Sequence, residues 1–293
     1  MLEHANLDTC GSYPQRGRMT ASSPRERASH YAHVAFCAAV LVFLIAPILV
    51  VVPLSFNAEP YFTFTEGMLR FEPDAYSLRW YASIVEDEAW LRALVNSLGI
   101  GVSATVVATV LGTLAALGLA SPAMPGRPLV MGLLISPMVT PVIISAAGFF
   151  FFYSSLGLAQ THLGLILAHA ALGTPFVVIT VTATLAGFDV NLTRAAASLG
   201  AGPWRTFRRV QLPLIAPGVL SGALFAFATS FDEVVAVLFM GGIDQRTSPR
   251  QMWSGIREQI SPAILAVATF LIAFALLLMG VVEWLRRRGS QAD

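Results

Sequence analysis

Two adjacent acids, Asp232 and Glu233, stand inside an otherwise apolar stretch of the sequence. An unpaired carboxylate in hydrocarbon is costly, so ionisable residues in such stretches normally face the interior of a helix bundle or a water-filled path. Successive helical positions differ in direction by about 100°, so the two carboxylates cannot share one face. We interpret Asp232 as facing a path and Glu233 as pairing with a neighbouring helix or subunit. A structural carboxylate that is hydrogen-bonded within the bundle is the alternative.

The basic residues exclude one source of energy. All 18 basic side chains are arginines, and the sequence contains no lysine. A phosphate-binding loop of the form G-x-x-x-x-G-K-[ST] requires its lysine, so no such ATP site can exist in this chain. Energy for any work that the protein does must come from a partner or from an ion gradient.

The remaining reactive side chains form no catalytic or metal-binding pattern. Cys10 and Cys37 stand in a polar tail and in an apolar run, and neither has metal-ligand spacing. The five histidines are scattered, and we expect His162 and His169 to make structural hydrogen bonds. A net charge of +1 argues against nucleic-acid binding. We therefore predict neither an enzyme nor a cofactor in this chain.

The composition indicates that lipid surrounds most of the chain. Of its 293 residues, 56% are hydrophobic and 12% are charged, whereas an average globular chain is about 25% charged. A helix needs about 20 apolar residues to cross the hydrocarbon core. Six stretches qualify, at about 34–54, 94–119, 129–152, 163–185, 214–240 and 264–285. The predicted fold is all-α, an integral membrane domain over residues 31–288 with six transmembrane helices.

Two of these stretches contain residues that shape helix packing. Pro137 and Pro141 in the third stretch each remove a backbone donor and predict a kink. Small residues from Gly99 to Ala116 are dense in the second stretch, which predicts close packing of helices in lipid. Lining of a solute path is the alternative for these small residues.

The arginines predict the orientation of the chain, because cytoplasmic loops of membrane proteins hold an excess of Lys and Arg. Most arginines fall on the inner side if both termini are cytoplasmic. The acidic segment Asn57–Arg92 then lies outside. We predict a multi-pass protein with cytoplasmic tails at 1–30 and 289–293, whether the chain starts at Met1 or at Met19.

The longest cytoplasmic loop, residues 187–213, has the pattern of two short helices. Asp189 or Asn191 can cap the first helix, and Gly200 is a suitable stop. Pro203 suits the first position of the second helix. The apolar face of that helix consists of Trp204, Phe207 and Val210.

Arginines flank this apolar face, and such a surface is costly to leave bare on a cytoplasmic loop. It suits docking into a groove on another protein. Contact of the loop with anionic lipid headgroups is the alternative.

The same loop resembles the EAA motif of ABC importer permeases. The positions that match the motif are Ala195, Ala196, Gly200, Leu212 and Pro213. Arg194 stands where the motif has glutamate, which puts one polar contact in doubt. In the family this loop inserts into a cleft of the ATP-binding subunit, so the resemblance implies that Pro203, Trp204 and Phe207 belong to the docking surface.

Over nearly its whole length, the sequence looks most like the permease subunits of spermidine/putrescine importers, the C-type subunit of that pair. The supporting runs are 77–81, 96–98, 175–178, 228–235 and 251–257. The resemblance implies a type I importer (MetI-like) core over the last five spans, in a bacterial inner membrane. The implied partners are an ABC ATPase dimer that hydrolyses the ATP, a second permease subunit that makes a heterodimer, a periplasmic solute-binding protein and membrane lipid.

For a polyamine permease, the resemblance implies acid on the substrate pathway, at Asp232 and Glu233. Fixed negative charge offsets the hydration that a polycation loses, and the rings of Phe231, Trp253, Phe225 and Phe227 can add cation–π contact, with packing as the alternative. Three rival hypotheses remain: an ABC permease for another solute (another amine, an amino acid or a ferric complex), an ion-driven carrier working alone, and a purely structural membrane protein.

Overall fold

The computed structural model describes residues 24–121, 123–258 and 261–290. Most of the predicted tail at 1–30, part of the predicted tail at 289–293, Cys10 and both candidate start methionines lie outside the described residues. The chain divides into two compact units, residues 1–50 and 51–293.

Every regular element among the described residues is a helix, which confirms the predicted all-α class. The α-helices are α1 (Pro24–Leu54), α2 (Glu66–Leu69), α3 (Arg79–Glu86), α4 (Glu88–Ala120), α5 (Arg127–Val139), α6 (Val142–Ser155), α7 (His162–Ala186), α8 (Val190–Ser198), α9 (Pro203–Thr206), α10 (Leu212–Phe231), α11 (Val235–Met240), α12 (Ser248–Glu258) and α13 (Ala263–Ser290). A 3₁₀ turn spans Pro73–Ala75, and a π-helical segment spans Phe207–Gln211.

The described helices include five that are long and apolar enough to cross a membrane, or six if α5 and α6 together form one span. They lie at the six stretches that the sequence predicts. The first unit consists, where described, of most of α1, whose most apolar window has a mean hydropathy of 3.1.

Helices α4, α7 and α10 of the second unit pack against one another through small residues. A Cβ atom added at Gly112 of α4 would lie 2.7 Å from Cβ of Val177 on α7. A Cβ atom at Gly222 of α10 would lie 2.7 Å from the Cα atom of the same valine. Buried alanines continue this contact along α4 at Ala104, Ala108 and Ala116. These small residues of the second stretch therefore serve helix packing.

The third apolar stretch is broken, not merely kinked. Helix α5 ends at Val139, α6 begins at Val142, and the two are bent by 103°. Thr140 has an extended conformation with ψ 135°, because the ring of the following Pro141 disfavours helical geometry in the residue before it.

The fifth apolar stretch is also interrupted, and its prediction as one continuous helix over 214–240 was wrong. Helix α10 ends at Phe231, and the short α11 begins at Val235. The carboxylate of Glu233 accepts the backbone N–H of Ala236 at 2.9 Å. This bond satisfies one of the donors that are left free at a helix start, which stabilises the new beginning after the break.

Candidate functional site

The loop at residues 187–213 begins with α8, whose two ends are fixed by local hydrogen bonds. The side chain of Asp189 accepts the N–H of Asn191 at 2.9 Å, so the aspartate is the residue that caps this helix. At the other end, Ala201 N–H donates to Ala196 C=O and Gly200 N–H donates to Ala197 C=O. Gly200 has φ +79°, a left-handed conformation that glycine adopts without steric cost. The predicted stop at Gly200 therefore follows from backbone geometry.

The second predicted loop helix is not a separate short helix. It begins at Pro203, as predicted, but continues through the π-helical segment into α10 as one 29-residue helix, Pro203–Phe231. Between Pro203 and Phe231 there is no capping glycine that would end the helix. The motif residues Leu212 and Pro213 thus lie at the start of α10, inside a continuous helix.

The surface of this coupling segment, residues 187–213, is largely exposed. The exposed fraction is 89% for Leu199 and 71% for Trp204. The Trp204 ring packs beside Phe207 with centroids 5.7 Å apart. Four arginines of the same segment are also exposed, Arg194, Arg205, Arg208 and Arg209. The segment therefore presents exposed apolar side chains together with positive charge.

The two acids differ in their surroundings. Asp232 is the C-cap residue of α10, and its side chain is exposed in the isolated chain. Glu233 is partly buried and is bonded to the backbone of α11. We expected Glu233 to pair with a neighbouring helix or subunit. Within this chain, its carboxylate instead binds the backbone of Ala236, three residues further along.

The two aromatic residues that were expected near the acids have different positions. Phe231 packs with Phe227 and Phe274 at centroid distances of 5.3 Å each, and so joins α10 to α13. Trp253 lies half-exposed on α12. Within the part of the chain that is described, no ring contact or hydrogen bond connects Trp253 to Asp232.

Both histidines in and near the fourth apolar stretch make hydrogen bonds, as predicted. His169 is fully buried, and its Nδ1 lies 2.8 Å from the hydroxyl of Ser230, two residues before Asp232. The other ring nitrogen of His169 is buried without a partner. His162 Nε2 lies 3.2 Å from Oδ1 of Asn96. Among the described residues, no three His, Cys, Asp or Glu side chains are arranged to hold a metal ion.

The segment that follows α11 is held by side chains from α4 and α12. Asn96 of α4 donates its amide to the carbonyl groups of Asp244 and Arg246, at 2.7 and 2.9 Å. Arg250 of α12 donates to the carbonyl groups of Gly241 and Gly242, at 2.8 and 3.0 Å. Burial, followed by the charge of Arg246, lowers the pKa of Arg250. These bonds fix the far end of the interrupted fifth stretch.

An open cavity of about 230 Å³ lies beside α10. The residues that line it are Met138, Phe176, Ile179, Thr180 and Phe225. The sequence analysis did not find this cavity, because its residues come from three helices. The only local signal is the seven-residue spacing between Phe225 and Asp232.

The chain resembles known proteins in both sequence and fold. Residues 108–291 match the family described as the binding-protein-dependent transport system inner membrane component. The spermidine/putrescine transport system permease protein PotC of Escherichia coli (strain K12) is 30% identical over 88% of this chain and 96% of that protein. The putrescine transport system permease protein PotI of the same strain is 31% identical over 83% of this chain and 85% of that protein.

A solved structure has the same fold at lower sequence similarity. A chain from a bacterial ABC transporter that imports the acidic polysaccharide alginate has a TM-score of 0.71 and 15% identity, covering 90% of this chain and 98% of that one. The similarity in fold therefore covers most of the helices of this chain.

Proposed function

The chain belongs to the family of binding-protein-dependent transport system inner membrane components, and from this premise we propose that it imports polyamines. As a member of that family it is an ABC permease subunit and not an enzyme. On our proposal it forms, with a second permease, the membrane path for putrescine and spermidine. The observation that carries the substrate class is the exposed carboxylate of Asp232 at a break within an apolar helix.

An exposed carboxylate at this depth favours a cationic substrate. A fixed negative charge in a passage of low dielectric constant attracts a cation and offsets part of the hydration that the cation loses. Glu233 is engaged with the backbone of α11, so Asp232 is the acid that remains free to meet the substrate. The names of the two relatives from Escherichia coli agree with a polyamine. On this proposal, Phe231 packs α10 against α13, and Trp253 offers a half-exposed ring.

The coupling segment is proposed to receive the energy from an ABC ATPase dimer. The exposed Leu199 and Trp204, in a segment that also exposes four arginines, suit burial in a groove of a partner protein. Closure of the ATPase dimer would move this segment and, through the continuous helix, the break at Asp232. Arg194 replaces the glutamate of the motif, so we propose that docking relies on the apolar contacts.

The same proposal fixes the orientation and the remaining partners. Both termini and the coupling segment lie in the cytoplasm, which accords with the arginines of that segment. The acidic segment Asn57–Arg92 and α12 then face the periplasm, where a solute-binding protein delivers the substrate. The permease pair is a heterodimer in the inner membrane.

Replacement of Asp232 by asparagine tests the substrate path, because it removes the charge and keeps the shape. The measurement is ATP-dependent uptake of labelled putrescine and spermidine into vesicles that contain the assembled importer. We expect uptake of both amines to fall at least about tenfold, which corresponds to about 1.4 kcal/mol. Asp74→Asn, at an exposed acid in the outer segment, is the matched control and should transport at the rate of the unmodified protein.

The outcomes of this experiment separate the rival functions. Unchanged amine uptake by Asp232→Asn would contradict the role of this carboxylate. Uptake of another solute in place of both amines would contradict the proposed substrate. Uptake by this chain alone, without an ATPase or ATP, would instead support an ion-driven carrier.

A further inference from the structure

The cavity beside α10 lies on the same face of that helix as Asp232. Phe225 precedes Asp232 by seven positions, and seven helical steps return to within about 20° of the starting direction. The backbone of Asp232 is still helical, and Ala228 between the two is also exposed. A carboxylate within a span faces a hydrated interior and not lipid. Phe225, whose exposed fraction is 55%, therefore borders the same hydrated face.

The chemistry of the cavity suits an alkyl chain that carries positive charge. The rings of Phe176 and Phe225 are nearly parallel, with centroids 6.2 Å apart and an interplanar angle of 24°. The hydroxyl of Thr180 donates to the carbonyl group of Phe176 at 2.9 Å, so its proton is used within α7. The other lining side chains are apolar, with ring faces that attract cations. It offers no donor that would offset the burial of an anion or a sugar hydroxyl.

The distance along α10 between the cavity and Asp232 matches the length of one kind of linear amine. Seven residues of α-helix rise about 10 Å, which is the axial separation of Phe225 from Asp232. An extended chain advances by about 1.25 Å per bond. The terminal nitrogens are therefore about 6 Å apart in a diamine with four methylenes. They are about 11 Å apart in a triamine whose nitrogens are separated by three and by four methylenes. Only the longer amine can pair with Asp232 and reach the rings of the cavity at the same time.

We infer that the cavity formed by Met138, Phe176, Ile179 and Phe225 holds the far part of a linear triamine whose near ammonium group pairs with Asp232. The cavity thereby favours spermidine over putrescine during passage through the permease. This inference rests on the proposed polyamine function and adds to it the residues that distinguish chain length.

Two variants test the cavity in opposite ways. Phe225→Ala removes a ring face, and Ile179→Trp fills the cavity from α7. Both are assembled with the same second permease, ATPase and solute-binding protein, and initial uptake of spermidine and of putrescine is measured in vesicles. We expect spermidine uptake to fall about tenfold in both variants, because Phe225→Ala loses a ring face and Ile179→Trp takes the space of the alkyl chain. Putrescine uptake should stay within about twofold of the unmodified protein.

Leu220→Trp is the matched control for added bulk. Leu220 has an exposed fraction of 37%, the same as Ile179, and lies five positions from Phe225, about 140° around α10. This variant should leave the ratio of spermidine to putrescine uptake unchanged.

The outcomes distinguish this inference from the function on which it rests. An equal loss of both amines in Phe225→Ala and Ile179→Trp would overturn it and would indicate that the cavity is filled by the second permease. Unchanged uptake of both amines in both variants would also overturn it, while leaving polyamine import intact. An unmodified importer that carries neither amine would refute the proposed substrate, and this inference with it.

Discussion

The packed helices α4, α7 and α10 differ sharply from the coupling segment at 187–213 in what constrains their residues. In the helices, Gly112, Val177 and Gly222 are so close that one added carbon would collide. In the segment, Leu199 and Trp204 are mostly exposed, and nothing near Gly200 or Gly202 would obstruct an added Cβ atom. Residue types in the first region are explained by contacts within the chain. In the second region, the local backbone explains Asp189, Gly200 and Pro203, whereas docking to a partner protein explains the exposed Leu199 and Trp204 on the proposed function.

The largest effect is expected where the helices are closest. Gly112→Leu places a side chain where Val177 Cβ is 2.7 Å and the Thr174 carbonyl oxygen 3.3 Å from the added Cβ. Helices α4 and α7 must then separate, which we expect to destabilise the protein by at least about 3 kcal/mol. The measurement is the yield of monodisperse protein and its thermal unfolding in detergent.

Gly118→Leu is the control on the same helix, because no atom lies within 4 Å of a Cβ atom at Gly118. It should unfold within a few degrees of the unmodified protein. If the Gly112 variant is as stable as the Gly118 variant, the comparison is contradicted, since the packed face of α4 would then tolerate bulk as well as its open face does.

A smaller effect, and of a different kind, is expected in the coupling segment. Trp204→Ala should leave thermal unfolding unchanged, because the Trp204 side chain is 71% exposed. It should weaken binding of the ATPase by about 2 kcal/mol, or about thirtyfold, as truncation of an aromatic anchor does. Affinity is measured by titration of the permease pair with the ATPase in detergent.

Trp253→Ala is the control for loss of an exposed tryptophan. It lies on α12, outside the coupling segment, and should bind the ATPase with unchanged affinity. If Trp204→Ala lowers the unfolding temperature and leaves ATPase affinity unchanged, the segment belongs with the packed helices after all.

The smallest effect is expected where the packed helices end, at the bond between His169 and Ser230. Ser230→Ala removes the partner at 2.8 Å from His169 Nδ1 and leaves that buried nitrogen unsatisfied, at a cost of about 1 kcal/mol. The measurement is unfolding by denaturant in micelles.

The double variant Ser230→Ala with His169→Leu sharpens this test. Replacing both partners by apolar groups removes the unsatisfied nitrogen, so the double variant should recover part of the lost stability. Strictly additive losses would show that the two side chains do not stabilise each other.

The sequence was sufficient to predict the features that depend on local chemistry. Apolar length predicted where the spanning helices lie, and Asp189, Gly200 and Pro203 predicted the ends of the loop helices because each acts on its own backbone. The position of Asp232 in the apolar stretch was likewise visible.

Features that depend on two distant segments, or on competition between local effects, were missed or wrong. The apolar residues from Leu212 onward favour one continuous helix, whereas the Glu233 carboxylate stabilises a new helix start at α11. Hydropathy alone cannot show which of these two effects prevails. The size of the bend at Thr140 and Pro141 depends on what packs around α5 and α6. The cavity at Phe176 and Phe225 arises from the approach of separate helices, which spacing in one sequence does not encode.

The uninterrupted helix from Pro203 to Phe231 has a mechanical consequence. Its 29 residues, at about 1.5 Å each, make a lever about 43 Å long. Trp204 lies at one end, and the Asp232 carboxylate lies just beyond the other. A rotation of about 5° about either end displaces the opposite end by about 4 Å. A slight rocking at the Trp204 end is therefore enough to shift the Asp232 carboxylate by more than the length of a hydrogen bond.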